Sequence, residues 1–488
     1  MYELLLITMA LPVIAGGLSL FNANPGMLRV INLSGSAATG ICILGIIAKT
    51  IHDGPFTSAF LHVDDLTAVM LFVVGLLTFT ATLFSLSYME REVRDGHVAP
   101  HMLPRYYALL NLFAVSMISV LVVGNLGLMW VAVEGTTLAS ALLVAFYFNQ
   151  AALEAAWKYV MICTVGICLA LLGTILLYSA QVGAGGAERA LDWATLKELA
   201  PMLDPKTVKM AFIFILIGYG TKAGLAPMHT WLPDAHSQAP SPVSGLLSGA
   251  LLSCALYALI RNLVIVEGTL GPAFPQTVLL CVGVLSILIA IPFVLTQHDL
   301  KRLLAYSSVE HMGIVTLGLG IGTPLAVYAA ILHIVNHAAA KSSLFYIAGS
   351  ISQDYRTKDI KGIHGVATVA PLLATLFVLS VMAITGVPPF NIFLSKFMII
   401  NALFDDHHWL LGSVILLLLT GVFAGMLRYG LRMSFGQKPA DVAHRERLSL
   451  SARLALGLSM VLVFVGGVYL PEAANGVLRR AAQIIMGA

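Results

Sequence analysis

The sequence predicts an all-α polytopic membrane protein of about fourteen transmembrane helices, and three observations predict it. Hydrophobic residues make up 59% of the chain and charged residues only 10%, with a mean hydropathy of +0.91; soluble domains carry about 25% charge. The apolar residues gather in windows that reach the ~20 residues one bilayer crossing needs. Polar or Gly/Pro-rich turns separate these windows and leave almost no extramembrane mass.

In order, the windows cover residues 2–20, 27–50, 65–88, 105–124, 126–148, 155–180, 208–230, 242–266, 276–296, 301–321, 324–350, 369–401, 408–432 and 450–470. The first carries Glu3 and no basic leader, so it reads as an uncleaved span and not as a signal peptide. The seventh, eleventh and twelfth are too long or too broken to be simple rods. Gly224-Leu-Ala-Pro227 interrupts the seventh near Lys222, and Gly386-Val-Pro388-Pro389 interrupts the twelfth near Lys396. Interrupted spans in corresponding places of two halves point to inverted repeats around a midplane site. The expected organisation is helices 1–3 over residues 1–104 and a five-helix repeat (helices 4–8) over 105–267. Its inverted mate (helices 9–13) follows over 268–435, and helix 14 lies in 436–488.

With this helix count, sixteen of the 27 Lys and Arg fall on one side, among them Arg91, Lys158, Lys301, Arg302, Arg445 and Arg447. Eight, Arg261 included, fall on the other, while Lys222, Lys341 and Lys396 lie within or at the edge of spans. The positive-inside rule makes the richer side cytoplasmic, which puts both termini on the non-cytoplasmic side of a cell inner membrane.

Several function classes lose support at this stage. A net charge of +3 is too small to argue for nucleic acid. The five cysteines (Cys42, Cys163, Cys168, Cys254, Cys281) lie in apolar stretches without C-x-x-C spacing, against thiolate ligation of zinc or iron–sulfur clusters. No G-x-G-x-x-G or P-loop run is present to support nucleotide binding.

What remains is charge at membrane depth, which is expensive and therefore a functional hypothesis by default. Lys222 sits in a strongly apolar run just before the first break, where irregular backbone must be buried in protein or line a wet cavity. Glu134, mid-window in Leu128-Met-Trp-Val-Ala-Val-Glu-Gly, is its natural counter-charge. Burial disfavours a lysine's charged form and a carboxylate within ~4–6 Å favours it, so changing their separation toggles whether the lysine keeps its proton. His333, His337 and Lys341 recur every four residues and so share one helical stripe. Imidazoles accept and donate through different nitrogens, which suits the stripe to proton transfer; a metal pair at i, i+4 has no third ligand nearby in sequence. Lys396 follows the second break as a terminal site, unless it snorkels to an interface. His229, Asp234 and His236 flank the first break, as a proton funnel or as a polar loop. Glu310-His311 and Asp299-Lys301-Arg302 are expected at the ends of helix ten, the latter set as solvated loop charges.

The residues themselves now carry a resemblance. The run from Lys222 through Pro-Met-His229-Thr-Trp-Leu-Pro-Asp-Ala-His236 to Ala-Pro-Ser-Pro-Val-Ser244 resembles the antiporter-like subunits of complex I. So do Asp299-Leu-Lys-Arg-Leu-Leu-Ala-Tyr-Ser-Ser308, the His333–His337–Lys341 stripe, and Gly386-Val-Pro-Pro-Phe with Ser395-Lys396. The same family includes multisubunit cation/proton antiporters and the membrane arms of energy-converting hydrogenases. The match spans roughly residues 105–435. The variant Ser-Pro-Val-Ser-Gly-Leu-Leu-Ser-Gly-Ala-Leu-Leu-Ser-Cys-Ala-Leu-Tyr-Ala-Leu-Ile-Arg261 is most similar to the hydrogenase-4 component F branch.

The resemblance implies fourteen helices with two inverted five-helix repeats, broken at helices seven and twelve. It implies Glu134 and Lys222 as a modulated pair, His333–His337–Lys341 as the central relay and Lys396 as the exit-side site. Many relatives carry a lysine on helix eight where this chain has Ser253, so Tyr257, ordered water, His229 or His236 are the candidates to bridge the gap. The implied function is proton translocation within a redox-driven complex, hydrogenase-4, formate-hydrogenlyase or NADH-quinone oxidoreductase in kind. No cofactor is expected in this chain; if the complex is hydrogenase-linked, Fe–S clusters and a NiFe centre belong to partner subunits. Those partners are other membrane-arm subunits and a peripheral redox arm. The alternatives are a Na⁺/H⁺ antiporter subunit, or the membrane subunit of an energy-coupled inorganic-carbon uptake system.

Overall fold

The computed structural model describes the chain except residues 23, 187–188, 441, 443–447 and 488. Arg445 and Arg447 lie outside the described residues. The chain is a bundle of helices with a single two-stranded hairpin among the described residues, Phe56–Thr57 paired antiparallel with His62–Val63. Its first six helices are α1 (Tyr2–Leu20), α2 (Pro25–Asp53), α3 (Asp65–Arg94), α4 (Leu103–Val122), α5 (Leu126–Val144) and α6 (Gln150–Gly183). A short α7 (Trp193–Leu199) precedes α8 (Pro205–Ala223) and α9 (Leu232–Gln238). Next, α10 (Ser241–Leu246) continues through a π-helical turn at Leu247–Leu251 into α11 (Leu252–Leu270). Then come α12 (Ala273–Thr296), α13 (Leu300–Ile321), α14 (Pro324–Tyr355), the single turn α15 (Val366–Val369), α16 (Pro371–Thr385), α17 (Asn391–Asp405), α18 (Trp409–Ser434), α19 (Leu450–Val468) and α20 (Glu472–Ile485).

Helix is the only open-ended solution here, because apolar surroundings force each backbone N–H and C=O to find a partner within its own segment. The orphan N–H groups at the helix starts take side-chain caps: Asp64 to Thr67 on α3, Asn125 to Gly127 and Leu128 on α5, Asn149 to Ala152 on α6, and Asp299 to Arg302 on α13. Eleven helices among the described residues are long and apolar enough to cross a membrane. The chain is therefore a multi-pass membrane protein.

Packing places apolar side chains outside and polar ones within. Leu6 and Val13 of α1, Ile41 of α2, Trp157 and Val165 of α6, Leu288 of α12 and Leu417 of α18 are exposed. In contrast, each residue from Ser241 to Val266 is buried, and α13 and α14 are buried over most of their length. Small residues set the closest approaches. A Cβ on Gly218 of α8 would fall 2.6 Å from the Gly166 carbonyl oxygen of α6.

Two helices break inside the bundle. α8 stops at Gly224, which takes a left-handed conformation (φ 75°), and the chain turns through Met228–Trp231 into α9. α16 stops at Gly386 (φ 88°) and the helix resumes as α17 at Asn391. Both breaks find partners for the backbone groups they free. Ser286 Oγ accepts from the Ala226 N–H at 3.0 Å, Trp231 Nε1 donates to the Thr221 carbonyl at 2.9 Å, and Asn336 Nδ2 donates to the Asn391 carbonyl at 2.9 Å.

Three sequence expectations fail at helix ends. Glu310 and His311 are not at the end of a helix but midway along α13, fully buried, because the cap at Asp299 starts that helix three turns earlier. Lys301 is not a solvated loop charge: it is 3% exposed, and its ammonium donates to the Ala239 carbonyl at 2.6 Å. Arg261, counted with the outer loops, is 1% exposed in α11 and forms a two-pronged pair with Asp64 at 2.6 and 2.7 Å. Burial raises the Asp64 carboxyl's proton affinity, but the Arg261 guanidinium and the His62 ring outweigh it and hold Asp64 well below the usual carboxylate range.

Candidate functional site

Lys222 is the last residue but one of α8, two before Gly224, fully buried, with its ammonium pointing at α5 and α6. It donates to Thr137 Oγ1 at 2.6 Å and to the Tyr159 hydroxyl at 2.8 Å. Thr137 in turn donates to Glu134 Oε2 at 3.1 Å, and Thr164 donates to Glu134 Oε1 at 3.3 Å. The two charges expected to pair are thus joined through one hydroxyl. The other branch runs from Tyr159 to Ser140 at 2.7 Å, and Ser140 donates to the Thr136 carbonyl. Thr137, Tyr159 and Ser140 each both accept and donate, so the ammonium is solvated by an oriented network.

The stripe on α14 is buried as its spacing implies, and α13 completes it. His311 Nδ1 and His333 Nε2 are 2.8 Å apart, and His333 Nδ1 is 2.9 Å from Ser395 Oγ on α17. Ser395 gives its own hydrogen to the Ile392 carbonyl, so His333 Nδ1 donates to it and His333 Nε2 accepts from His311. That assignment leaves His311 Nε2 as a bare acceptor, 4.0 Å from Glu310 Oε2. Glu310 Oε1 receives the Lys396 ammonium at 2.8 Å. The His337 ring lies 5.1 Å from His311 between centroids, and neither of its nitrogens has a hydrogen-bond partner among the described residues. Lys341 donates to the Leu304 carbonyl at 2.7 Å. Ser308 shares that carbonyl and receives Ser248 of the π-helical turn at 2.8 Å. Extra-residue turns of this kind recur at functional positions in helices.

Of the residues proposed to bridge the two halves, Ser253 spends its hydroxyl on the Gly249 carbonyl of its own helix. Tyr257 turns toward the Asp64–Arg261 pair, with its hydroxyl on the Leu121 carbonyl and Thr67. His229 is buried with its ring edge-on to Tyr306. His236 is fully buried, stacked on Phe345 at 5.0 Å between centroids, with neither ring nitrogen partnered by protein. Asp234 lies nearer the surface and pairs with Arg302 at 2.6 Å and Lys158 at 3.3 Å. Immediately after His236, a polar cavity of about 440 Å³ is lined by Glu92, Ser237, Ser241, Lys301, Ser352 and Lys358. Burial pushes the Lys358 ammonium below the usual lysine range.

The sequence reading missed Glu310 and His311 as members of the site, although the cap at Asp299 counted forward would have put both deep in the helix. Thr137, Tyr159, Ser140, Ser248 and Ser308 carry no such signal, since buried hydroxyls are common in any polytopic chain.

The family described as NADH:quinone oxidoreductase/Mrp antiporter, TM, matches residues 123–424, and the N-terminal family of complex I chain 5 matches residues 56–97. A hydrogenase-4 component F homolog from Methylacidiphilum infernorum is 39% identical over 85% of this chain and 86% of its own length. NADH-quinone oxidoreductase subunit N from Desulforudis audaxviator is 31% identical over 83% of this chain and 81% of its own. Among solved structures, a chain of the archaeal membrane-bound sulfane sulfur reductase shares the fold with a TM-score of 0.87 at 23% identity, covering 99% of this chain and 97% of that one. The chain belongs to the NADH:quinone oxidoreductase/Mrp antiporter family of membrane subunits.

Proposed function

We propose that this chain is a proton-translocating subunit in the membrane arm of a redox-driven complex, hydrogenase-4 or NADH-quinone oxidoreductase in kind. The observation that carries the reading is Lys222: a fully buried ammonium at a helix break, coupled to Glu134 through the single hydroxyl of Thr137. A small movement of α5 against α8 changes the stabilisation of that ammonium and so drives proton loss or gain. The His333–His337–Lys341 stripe then serves as the central relay and Lys396 as the exit-side site. Within this reading the broken seventh and twelfth helices are the fourth members of two inverted five-helix repeats of a fourteen-helix chain, spanning 105–267 and 268–435. The face bearing Lys158, Lys301, Arg302 and Lys358 is cytoplasmic, and both termini lie across an inner membrane. The cavity lined by Glu92, Ser237, Lys301 and Lys358 is the intake for protons. Redox chemistry, with its Fe–S and NiFe centres, sits in partner subunits.

The test is Lys222→Ala in the intact complex, reconstituted in vesicles and followed by proton uptake at matched electron-transfer rate. Proton uptake should fall about tenfold or more, a barrier increase of about 1.4 kcal/mol or more. Undiminished uptake overturns the reading. Uptake that instead follows a sodium gradient identifies a Na⁺/H⁺ antiporter subunit.

A further inference from the structure

We propose that Glu310 is a second proton-carrying carboxylate, linking His311 to Lys396 and gating Lys396 as Glu134 gates Lys222. The proposal rests on the relay reading above and adds the joint that reading lacks. The Lys396 ammonium points not at the His333–His337–Lys341 stripe but at Glu310 Oε1, to which it donates at 2.8 Å. The other carboxylate oxygen, Oε2, is buried without a hydrogen-bond partner among the described residues and lies 4.0 Å from His311 Nε2, which is likewise unpartnered among them. Two orphaned buried atoms facing each other, one an acceptor and one able to carry a proton, are what a transfer step requires. His311 is already tied to the stripe through His333 at 2.8 Å.

The position of Glu310 supports the same role. Glu134 lies midway along α5 and Lys222 at the break after α8; Glu310 lies midway along α13 and Lys396 just after the break between α16 and α17. In the repeat reading, α5 and α13 are the second helices of their halves, and the broken helices are the fourth. Each half therefore holds one carboxylate midway along its second helix and one lysine beside the break of its fourth, Lys222 before the break and Lys396 after it. The pairs differ in contact: Thr137 stands between the first, and the second touches directly.

The step balances as follows. His311, protonated on both nitrogens, loses its Nε2 proton to Glu310 Oε2; the N–H pair stays on nitrogen and the carboxylate becomes a neutral acid. Lys396, having lost its counter-charge, releases a proton toward the exit and becomes a neutral amine. The Glu310 proton then passes to Lys396 Nζ and restores the ion pair. One proton enters and one leaves.

The test compares Glu310→Gln, Glu310→Asp and the double variant Glu310→Gln/Lys396→Met with Lys222→Ala, all in the intact complex. Proton uptake by vesicles is measured together with complex assembly and the infrared band of a protonating buried carboxyl. Glu310→Gln should lose uptake about tenfold or more and abolish one carboxyl band, while Glu310→Asp keeps part of the uptake. If Glu310→Gln fails to assemble, the double variant decides, because it leaves no buried charge unpaired. Restored assembly without uptake supports the proposal, whereas restored uptake makes the pair structural and overturns it. Full uptake in Glu310→Gln with loss in Lys222→Ala overturns this proposal alone. Full uptake in Lys222→Ala overturns the relay and this step with it.

Discussion

Thr137 shows how much of the proposed site hangs on single hydroxyls. It accepts from Lys222 and donates to Glu134, so it transmits the carboxylate's charge to the ammonium without contact between them. Thr137→Val keeps the shape and removes the link. Proton uptake by reconstituted vesicles should drop about tenfold, about 1.4 kcal/mol of barrier, with Thr137→Ser close to wild type. A different sensitivity belongs to Asp64. Its folded proton affinity is depressed, so its contribution to stability is complete above the unfolded carboxyl value of about 3.9 and is lost as pH falls through that value to its lower folded one. Thermal stability of the purified protein should therefore be insensitive to this group at neutral pH and fall in acid. Asp64→Asn should forfeit about 3–5 kcal/mol at neutral pH, because it leaves Arg261 buried and unpaired. Lys222, Glu134 and the α14 stripe were legible in the sequence because charge in an apolar run is rare. The hydroxyls around them were not, since their role depends on which helices meet.

Among elements, the packing of α6 on α8 holds Lys222 at its depth. Gly166, Ala170 and Gly218 allow the two backbones to approach, and Gly218 sits one turn before the lysine. Gly218→Val should destabilise by about 1–3 kcal/mol through overpacking and shift Lys222 from Thr137. Lower thermal stability together with reduced proton uptake would check both effects. At the far end, α20 buries Val477, Leu478, Ala481, Ala482 and Ile485, and its Arg480 pairs with Asp65 at 2.8 Å. That pair is half exposed, so Arg480→Ala should change stability by no more than about 1 kcal/mol. The long apolar helices announced themselves by composition. The amphipathic α20 and the short α7 did not, because an average over a window cancels a helix with one polar face. The breaks were legible from Gly224 and Gly386, whereas the π-helical turn at Leu247–Leu251 lies in an unremarkable apolar run.

For the whole molecule, the arrangement inverts a soluble protein: apolar side chains such as Ile41 and Leu417 face outward and the ionisable ones are enclosed. Glu134, Glu310 and His337 all sit near the midpoints of their helices, and Lys222 and Lys396 adjoin the two breaks. In the proposed function, passage among them runs sideways, in the plane of the bilayer. A transmembrane potential does work only on displacement along the membrane normal, about 2.3 kcal/mol per charge per 100 mV for a full crossing. On that proposal the sideways leg is electrically silent, and the voltage falls on the cavity lined by Ser237, Lys301 and Lys358 and on release beyond Lys396. His337→Ala should then slow turnover of the intact complex in energised vesicles without altering the steepness of its response to imposed potential. The proposed path thus confines the membrane field to the two ends of the journey and leaves the middle to be paced by hydrogen-bond rearrangement alone.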